Sequence, residues 1–568
     1  MCRAHLHDAQ DTAATNREIH LQAIGELLNE TRNTEVQHIV KEIRKVEEAK
    51  EMARKLNCMS TTKPRNGPLD FVLIPGEKEG SWIKLEDTTK IEAAILTQNK
   101  KDLEYANKCP FLQQPLKTYL GSVGDTMGAD ALLEGTANLD TSNYPNSLEV
   151  DALLRNIKRI TQPMRGRCPS KDEYKKLYQK MRESTASSPS GRHYGHYKAA
   201  YATSVGAEVL HHLTTLPFEH GLSLQRWQQS LHFMLQKKDL PYVNKLHIIQ
   251  LFEADFNVTL KLLFSRELMR HGDNLHLHCD EYFGARKGRN THGALMIYQS
   301  NFGLAQLNKR NMAILDSDAT GCIDRIPHNL LTVAQQRMGC RKSFTLSHAK
   351  TLHNMIHKIL TAHGVSSHSF TKMLAGVGQG SSNGPSGWHS VFEVIAAAYR
   401  ELNPGCKWQS QNQDIEVLVW LAGFVDDVVK FVGFSDSSKW DTTLAETQAS
   451  YRSWQKLLEA TGGSLSLAKN SCTMLFWVPD RTNDFRLATK EETPGTITMT
   501  ADNTLVTIKR NEPWEACKDL GIYLAPDGNM KKQCTSCLQR AKEMKRIITA
   551  APLTRLEADT FFHSNYMG

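Results

Sequence analysis

Two adjacent aspartates, Asp426 and Asp427, lie inside the apolar run LAGFVDDVVKFVGF at residues 421–434. Two ionised carboxylates a few Å apart repel each other by roughly 1 kcal/mol in water and by several times that in a dry site. Buried charges must be paired or must hold a metal. Because Lys430 is the first basic residue in the run, we expect a cation from elsewhere. The flanking Val, Phe and Trp residues favour strands, which predicts a β-hairpin with both acids at or near its turn.

The composition limits the class of protein. The chain has 568 residues, of which 40% are apolar and 23% charged, as in a globular protein of several domain-sized units. A net charge of +8 permits a polyanionic partner without requiring one. Twelve scattered Cys residues favour a reducing compartment, and no apolar run approaches the roughly 18 residues that span a bilayer. We therefore expect an intracellular protein, nuclear or cytoplasmic, with no membrane partner.

Three regions are predicted along the chain. Residues 1–183 form a helical N-terminal extension, with charged amphipathic helices at 17–57 and a linker rich in Gly, Ser and Asn at 121–147. Residues 184–530 alternate apolar runs with helical patterns, which is typical of an α/β or α+β domain. Residues 531–568 are rich in Lys and Arg and predict one or two basic helices.

A further acid that could complete a metal site stands upstream, in NMAILDSDATGCIDRIPHNLL. The apolar segment Met312–Leu315 is predicted to be a strand that ends in Asp316 and Asp318. Three carboxylates from two strands can clamp two Mg²⁺ ions about 3.5–4 Å apart during phosphoryl transfer. Mg²⁺ suits such a site, because it binds few protein carboxylates and completes its shell with water and phosphates.

These segments, in this order, resemble the reverse transcriptases, and most closely those of non-LTR retrotransposons. FVDD is similar to the aromatic-x-Asp-Asp motif of that family, and DATGCIDRIPH is similar to its first palm motif, with Asp318 as the metal ligand. GVGQGSSNGP resembles the Gly-x-x-Gln-Gly segment and supplies Gln379 and Gly380. TGGSLSLAKNSC looks like the next motif, whose lysine is Lys469.

Further matches lie outside the palm motifs, and two positions depart from the pattern of the family. KDLGIYL resembles the hairpin that holds the primer end, at Leu520 and Gly521, and YFGARKGRNTHGAL resembles a fingers segment that includes Arg289. In NKLHIIQLFEADFN the family commonly places a triphosphate-binding Arg, where this chain has His247. Five residues after Asp318 the family usually has an aromatic residue that blocks a 2′-hydroxyl, and this chain has Ile323.

The resemblance implies an α+β right-hand polymerase, with fingers, a palm, a partial thumb and a helical N-terminal extension. It implies RNA-templated DNA synthesis from dNTPs in retrotransposition, with an RNA template and a DNA or RNA primer as partners. Asp318, Asp426 and Asp427 would bind two Mg²⁺ ions, for which Mn²⁺ could substitute. Lys469 would neutralise or protonate the departing pyrophosphate.

Two alternative functions stay open. An RNA-dependent RNA polymerase shares the three-acid geometry, although the Leu-Gly hairpin argues against it. An inactive, nucleic-acid-binding relic of a mobile element is favoured by Ile323 and His247.

Nearby polar residues have simpler interpretations. We expect Asp316 to be a bystander and Asp324 to be structural, pairing with Arg325 or a helix end. The HLHC segment, at residues 276–279, has no second cluster of ligands nearby in the sequence, so we expect no zinc site there.

Overall fold

The computed structural model describes residues 69–563 apart from a few short gaps, at 79, 165–167, 184–188, 237–239, 436–437, 482–483, 502–503 and 552. The amphipathic helices predicted at 17–57 lie outside the described residues. The described chain up to Met530 forms one compact unit, and the residues from Lys531 onward belong to a second. Among the described residues, no helix has the length and apolar composition that crossing a membrane requires.

Several helices of the first unit begin with side-chain caps that satisfy free backbone N–H groups. Asp87 accepts a hydrogen bond from the Lys90 N–H at 3.0 Å, and Ser170 with Glu173 forms a capping box. The α-helices are Thr88–Glu104, Leu116–Leu120, Met127–Glu134, Ser147–Asn156, Lys171–Lys180, Tyr194–Ala202, Ser204–His220, Ala254–Leu260, Met269–Asn274, Thr291–Leu307, His328–Arg337, Lys342–His353, Gly384–Leu402 and Trp440–Ala460. A π-helix spans Lys261–Leu268, and short 3₁₀ turns span Tyr105–Lys108, Pro110–Leu112, Gln225–Trp227 and Val243–Lys245.

The strands of this unit form several small sheets around two larger ones. They are β1 Val72–Pro75, β2 Trp82–Leu85, β3 Gln229–Gln236, β4 Leu246–Leu251, β5 Met312–Thr320, β6 Ile356–Thr361, β7 Gly364–Val365, β8 Cys406–Gln409, β9 Glu416–Val419, β10 Leu421–Phe424, β11 Asp427–Gly433, β12 Ser464–Leu465, β13 Ser471–Leu475, β14 Trp477–Pro479, β15 Phe485–Leu487, β16 Thr498–Ala501, β17 Thr504–Thr507, β18 Lys509–Asn511, β19 Cys517–Asp519 and β20 Ile522–Leu524.

The largest sheet has six strands, in the order β10-β11-β5-β13-β18, with β12 beside the end of β5. Alternate residues of β5 face opposite sides. Ile314 packs on one side in a cluster with Tyr298 and Phe302 of the helix Thr291–Leu307. Leu315 packs on the other side with Tyr451 of the helix Trp440–Ala460. Helices therefore cover both faces of this sheet, which we call the central sheet.

A second sheet has the order β4-β3-β6-β7. Met234 of β3 and Ile359 of β6 pack against Ile91 and Ile95 of the helix Thr88–Glu104. This sheet contributes Gln250, whose backbone contacts the loop that carries Gln379.

The mixture of helices with mainly antiparallel sheets is compatible with the predicted α+β class. The predicted region boundaries at 183 and 530 stay predictions. The second unit contains the helices Lys531–Ala550 and Arg555–Phe562 in its described residues, as the basic tail predicted.

Two local predictions are wrong. The segment predicted to be a linker contains the helix Met127–Glu134, whose Leu132 and Leu133 are buried in the largest core cluster. Its apolar positions therefore outweigh its content of Gly and Asn. The strand predicted to end in Asp316 and Asp318 continues to Thr320, because Ala319 and Thr320 pair with β12.

Candidate active site

The paired acids lie at a tight hairpin turn, as predicted. Phe424 pairs with Asp427 across β10 and β11, which leaves Val425 and Asp426 as the two turn residues. Val425 has a φ of +59°, a conformation that two-residue hairpin turns usually give to Gly, Asn or Asp. A β-branched residue at positive φ is strained, and such strain persists only where the surroundings fix it.

Two side chains fix this turn by donating to the same carbonyl. Trp388 Nε1 donates to Val425 O at 2.7 Å, and the Tyr282 hydroxyl donates to it at 3.1 Å. The segment that carries Tyr282 also runs beside β10, where the Phe283 N–H donates to Gly423 O at 2.8 Å. We call Tyr282 and Trp388 the turn clamp. No local pattern in the sequence indicates the turn clamp, because both residues are distant from Val425 along the chain.

The third acid lies directly opposite the turn. Asp318 of β5 pairs with Asp427 of β11 in antiparallel register, so their Cβ atoms are about 4.5–5.5 Å apart. Asp426 precedes Asp427 in the turn. Asp318, Asp426 and Asp427 therefore come together at one end of the central sheet, on neighbouring strands, as the motifs predicted.

Lys469 belongs to the same site. Its Nζ forms an ion pair with the carboxylate of Asp318, and this contact raises the pKa of Lys469. The side chain of Lys469 is 69% exposed, so it can move when another cation approaches. The neighbouring Asn470 is buried, and its Oδ1 accepts a hydrogen bond from the Asp318 N–H at 3.0 Å. Asn470 therefore fixes the backbone of the strand at the acid.

The acids disfavour one another's ionisation. Burial, followed by the charges of Asp426, Asp519 and Asp318, raises the pKa of Asp427 to about 6 against the opposing charge of Lys469. Burial, followed by the charge of Asp316, also raises the pKa of Asp519 to about 7. A bound cation would relieve this repulsion.

Asp427→Asn should therefore stabilise the protein when metal is removed. A carboxyl group whose pKa is higher in the folded state contributes stability at low pH, and that contribution is lost as pH rises from about 4 to about 6. Because Asp427 is only half-buried, we expect a gain of about 1 kcal/mol at pH 8 after allowance for solvent screening. Urea unfolding with a chelator at pH 5 and pH 8 measures it. An equal effect at both pH values would contradict the assignment.

Lys430 does not neutralise the acid pair directly. It lies on the opposite face of the central sheet, where its Nζ donates to Ser317 Oγ at 2.5 Å and lies 4.9 Å from the centre of the Trp454 ring. Burial lowers the pKa of Lys430 to about 7. Burial raises the pKa of Asp316 to about 6, and the charge of Lys430 opposes this. Its expected role as a bystander stays a prediction.

Gln379 binds an acid of the loop that follows β5. Its N–H donates to Asp324 Oδ1 at 3.2 Å, and its Nε2 donates to Asp324 Oδ2 at 2.7 Å. The structural interpretation of Asp324 therefore holds, but its hydrogen-bond partner is Gln379. Arg325 donates instead to Ser464 Oγ at 2.8 Å and stacks over the ring of Tyr105.

Gly380 and Ile323 lie close to this loop. A Cβ at Gly380 would lie 2.2 Å from Gln250 O, so the glycine allows the loop to contact the backbone of β4. Ile323 is half-buried, and its O accepts a hydrogen bond from the Val377 N–H at 3.0 Å. The side chain of Ile323 lies beside Gly384, at the start of the helix Gly384–Leu402.

The remaining predicted residues lie on other elements. Arg289 pairs with Asp280 at 3.7 Å and stacks over the ring of Phe283. His247 lies on β4 of the second sheet, opposite Leu235. Neither position is on the central sheet, and their predicted contacts with the triphosphate stay predictions.

The Leu-Gly segment forms the predicted hairpin. Asp519 pairs with Ile522, which leaves Leu520 and Gly521 as the turn, and both have positive φ. Asp519 lines a cavity of about 40 Å³ together with Asp316, which brings the hairpin beside the acid face of the central sheet. Sequence reasoning missed Asp519, although it directly precedes the recognised Leu-Gly pair.

The donor set fits Mg²⁺. The three carboxylates are hard oxygen ligands, and burial together with the charges of neighbouring acids leaves Asp427 with a raised pKa that a cation would lower. The predicted pair of ions stays a prediction. Such ions would supply charge that stabilises a transferring phosphoryl group and activates an attacking oxygen.

Comparison of the chain with protein-family models and with curated proteins finds no match. The functional interpretation therefore rests on the residues and their geometry.

Proposed function

We propose that this protein is a reverse transcriptase that extends a primer 3′-hydroxyl with dNTPs on an RNA template. The observation that carries the proposal is the placement of Asp318 opposite Asp427, with Asp426 in the adjoining turn. We propose further that the central sheet is the palm of a right-hand polymerase. The resemblance to non-LTR retrotransposon enzymes suggests retrotransposition as the setting.

The chain's own residues have distinct roles in this proposal. Asp318, Asp426 and Asp427 hold the two Mg²⁺ ions, and no enzyme nucleophile is needed because the primer supplies the attacking oxygen. Lys469, which can leave Asp318, neutralises or protonates the departing pyrophosphate. The remaining contribution is positioning of the primer end and the nucleotide, which can account for much of a rate enhancement.

The second unit supports a nucleic-acid partner. Lys542, Lys545 and Arg546 line one surface of the helix Lys531–Ala550. Contacts of this kind with phosphates are mainly electrostatic and weaken as salt rises. The helix is the proposed start of a thumb.

The choice of nucleotide separates the alternatives. On an RNA template with an annealed primer, the proposed enzyme incorporates dNTPs in preference to rNTPs. An RNA-dependent RNA polymerase reverses that preference. A relic binds the template and primer but incorporates neither, and this result with well-folded protein would refute the proposal.

Ile323→Phe should sharpen the preference for deoxynucleotides. If Ile323 lies beneath the sugar of the incoming nucleotide, it leaves room that an aromatic ring would fill, and a ring there would collide with a 2′-hydroxyl. We expect the ratio of kcat/KM for dNTP over rNTP to rise at least about tenfold, which is roughly 1.4 kcal/mol of differential binding. An unchanged ratio on the same RNA template would show that Ile323 is not at the sugar.

Trp388→Phe should slow incorporation by loosening the turn clamp. The change removes the 2.7 Å hydrogen bond to Val425 O, and a buried hydrogen bond is worth about 1–2 kcal/mol. We expect kcat to fall about tenfold, with the KM for dNTP nearly unchanged. The matched control is Trp408→Phe, since Trp408 Nε1 donates at 2.8 Å to Asn301 and not to a residue of the turn. Equal loss in both variants would assign Trp388 a merely structural role.

A further inference from the structure

A buried cluster of three metal-ligand side chains lies apart from the paired acids. His278 comes from the loop after the helix Met269–Asn274, and His389 and Glu393 lie one turn apart on the helix Gly384–Leu402. All three side chains are buried, and His389 has no exposed surface. We call them the His-His-Glu cluster. No sequence motif pointed to it, because HLHC supplies one of the three ligands and the others lie far along the chain.

The spacing of the three ligand atoms suits a small metal ion. His389 Nε2 lies 2.7 Å from His278 Nδ1 and 3.3 Å from Glu393 Oε1, and the remaining separation is 4.0 Å. Zn²⁺ at about 2.0–2.1 Å from each ligand in a tetrahedron would separate neighbouring ligand atoms by roughly 3.3 Å. The three distances lie on both sides of that value.

The proton arrangement leaves a position for a cation. His278 Nε2 lies 3.1 Å from Met269 O, and a carbonyl can only accept, so Nε2 carries the proton and Nδ1 presents a lone pair. Burial lowers the pKa of both histidines, which keeps the imidazoles neutral, as metal ligands must be. The bond to Met269 is the kind of outer contact that orients a metal-bound histidine.

In either neutral form of His389, one ring nitrogen lacks a suitable hydrogen-bond partner among the described residues. With the proton on Nε2, its buried Nδ1 is an acceptor without a hydrogen-bond partner among the described residues. With the proton on Nδ1, the Nε2 lone pair faces the His278 lone pair at 2.7 Å beside a carboxylate. A cation among the three ligand atoms removes the conflict.

The surrounding groups hold Glu393 in place and permit access. The Cys279 N–H donates to both Glu393 oxygens, at 2.9 and 3.1 Å. Two nearby arginines are already paired, Arg400 with Glu281 and Arg286 with Asp273. His278 and Glu393 also line a cavity of about 780 Å³, which could admit an ion and a water ligand.

We propose that His278, His389 and Glu393 bind one divalent transition-metal ion of the Zn²⁺ class, with water from the cavity as the fourth ligand. The ion joins two segments that carry the turn clamp, since Tyr282 follows His278 by four residues and Trp388 precedes His389. The site is distinct in position and ligand chemistry from the proposed Mg²⁺ acids, and its existence does not depend on the polymerase function.

The test uses the full chain carrying Asp318→Asn and Asp426→Asn, so that the paired acids do not compete for metal. The protein is stripped with a chelator, incubated with Zn²⁺, dialysed and measured by elemental analysis. We expect one Zn²⁺ per chain and, after Co²⁺ substitution, the visible absorption bands of a four-coordinate ion. Glu393→Gln and His389→Gln should each weaken Zn²⁺ affinity at least a hundredfold in a chelator competition.

The matched control is His357→Gln. His357 Nδ1 lies 3.0 Å from His232 Nε2 in another buried histidine pair, and Ser230 Oγ contacts the same nitrogen. Among the described residues, the hydrogen bonds of this pair involve no carboxylate. This variant should keep its Zn²⁺. Failure of the starting protein to retain Zn²⁺ or to show the Co²⁺ bands would overturn the proposal, as would full retention in folded Glu393→Gln. If both cluster variants unfold, the Co²⁺ spectrum of the starting protein decides the matter, because thiolate- or oxygen-only sites give different bands.

Discussion

Asp318→Asn is expected to lower kcat/KM for single-nucleotide incorporation by at least about a thousandfold, roughly 4 kcal/mol of transition-state stabilisation. The change keeps the size of the side chain and removes one charged ligand of the proposed Mg²⁺ pair. Asp426→Asn should have a similar effect. Both variants should remain folded, because the exposed ion pair of Asp318 with Lys469 contributes at most about 1 kcal/mol.

Asp316→Asn is the matched control, since Asp316 lies two residues from Asp318 on the same strand and the same face of the central sheet. It pairs with Val429, two residues further from the turn than Asp427. We expect it to retain incorporation within about tenfold of the parent. An inactive Asp316→Asn beside an active Asp318→Asn would move the metal ligand to Asp316 and shift the register on which Ile323 was assigned to the sugar.

Gly380→Ala should destabilise the protein by about 3 kcal/mol or more. Gly380 has a φ of +122°, which is costly for Ala, and an added Cβ would lie 2.2 Å from Gln250 O. The contact is with backbone on both sides, including the 2.7 Å hydrogen bond from the Gln250 N–H to Gln379 O, so it cannot be relieved by rotation of a side chain. Urea unfolding of the metal-free protein measures the loss.

Gly521→Ala provides the comparison for Gly380→Ala. Gly521 also has a positive φ, of +89°, but a Cβ there would meet no atom within 4 Å. We expect this variant to lose only about 1 kcal/mol, from the backbone conformation alone. Similar small losses in both variants would show that the loop at Gly380 does not pack closely on β4.

The local pattern of the sequence predicted the acid hairpin well. Strand-forming residues on both sides of Asp426 and Asp427 predict a turn between two paired strands. A hairpin turn at Leu520 and Gly521 was likewise predicted from a short local segment. The order of the motifs also predicted that Asp318 and Lys469 would join them. These predictions succeeded because each depends on a short segment whose residues would be unfavourable in other parts of a fold.

Predictions that depend on distant pairing were less accurate. The end of β5 was placed at Asp318, because nothing nearby in the sequence shows that pairing with β12 extends the strand to Thr320. Gly380 was recognised only as part of the Gly-x-x-Gln-Gly segment, and nothing nearby in the sequence shows that it contacts the backbone of Gln250. The turn clamp and the His-His-Glu cluster could not be predicted, since their members meet only in the folded chain.

Copying of a supplied RNA sequence into DNA tests the central claim most directly. Purified protein is given Mg²⁺, dNTPs, and a primer annealed to an RNA template of defined sequence, and the products are sequenced. The account predicts Mg²⁺-dependent DNA products complementary to the template, and none from the variant that carries both Asp318→Asn and Asp426→Asn. Absence of template-dependent DNA from folded parent protein, or equal product from that double variant, would contradict it.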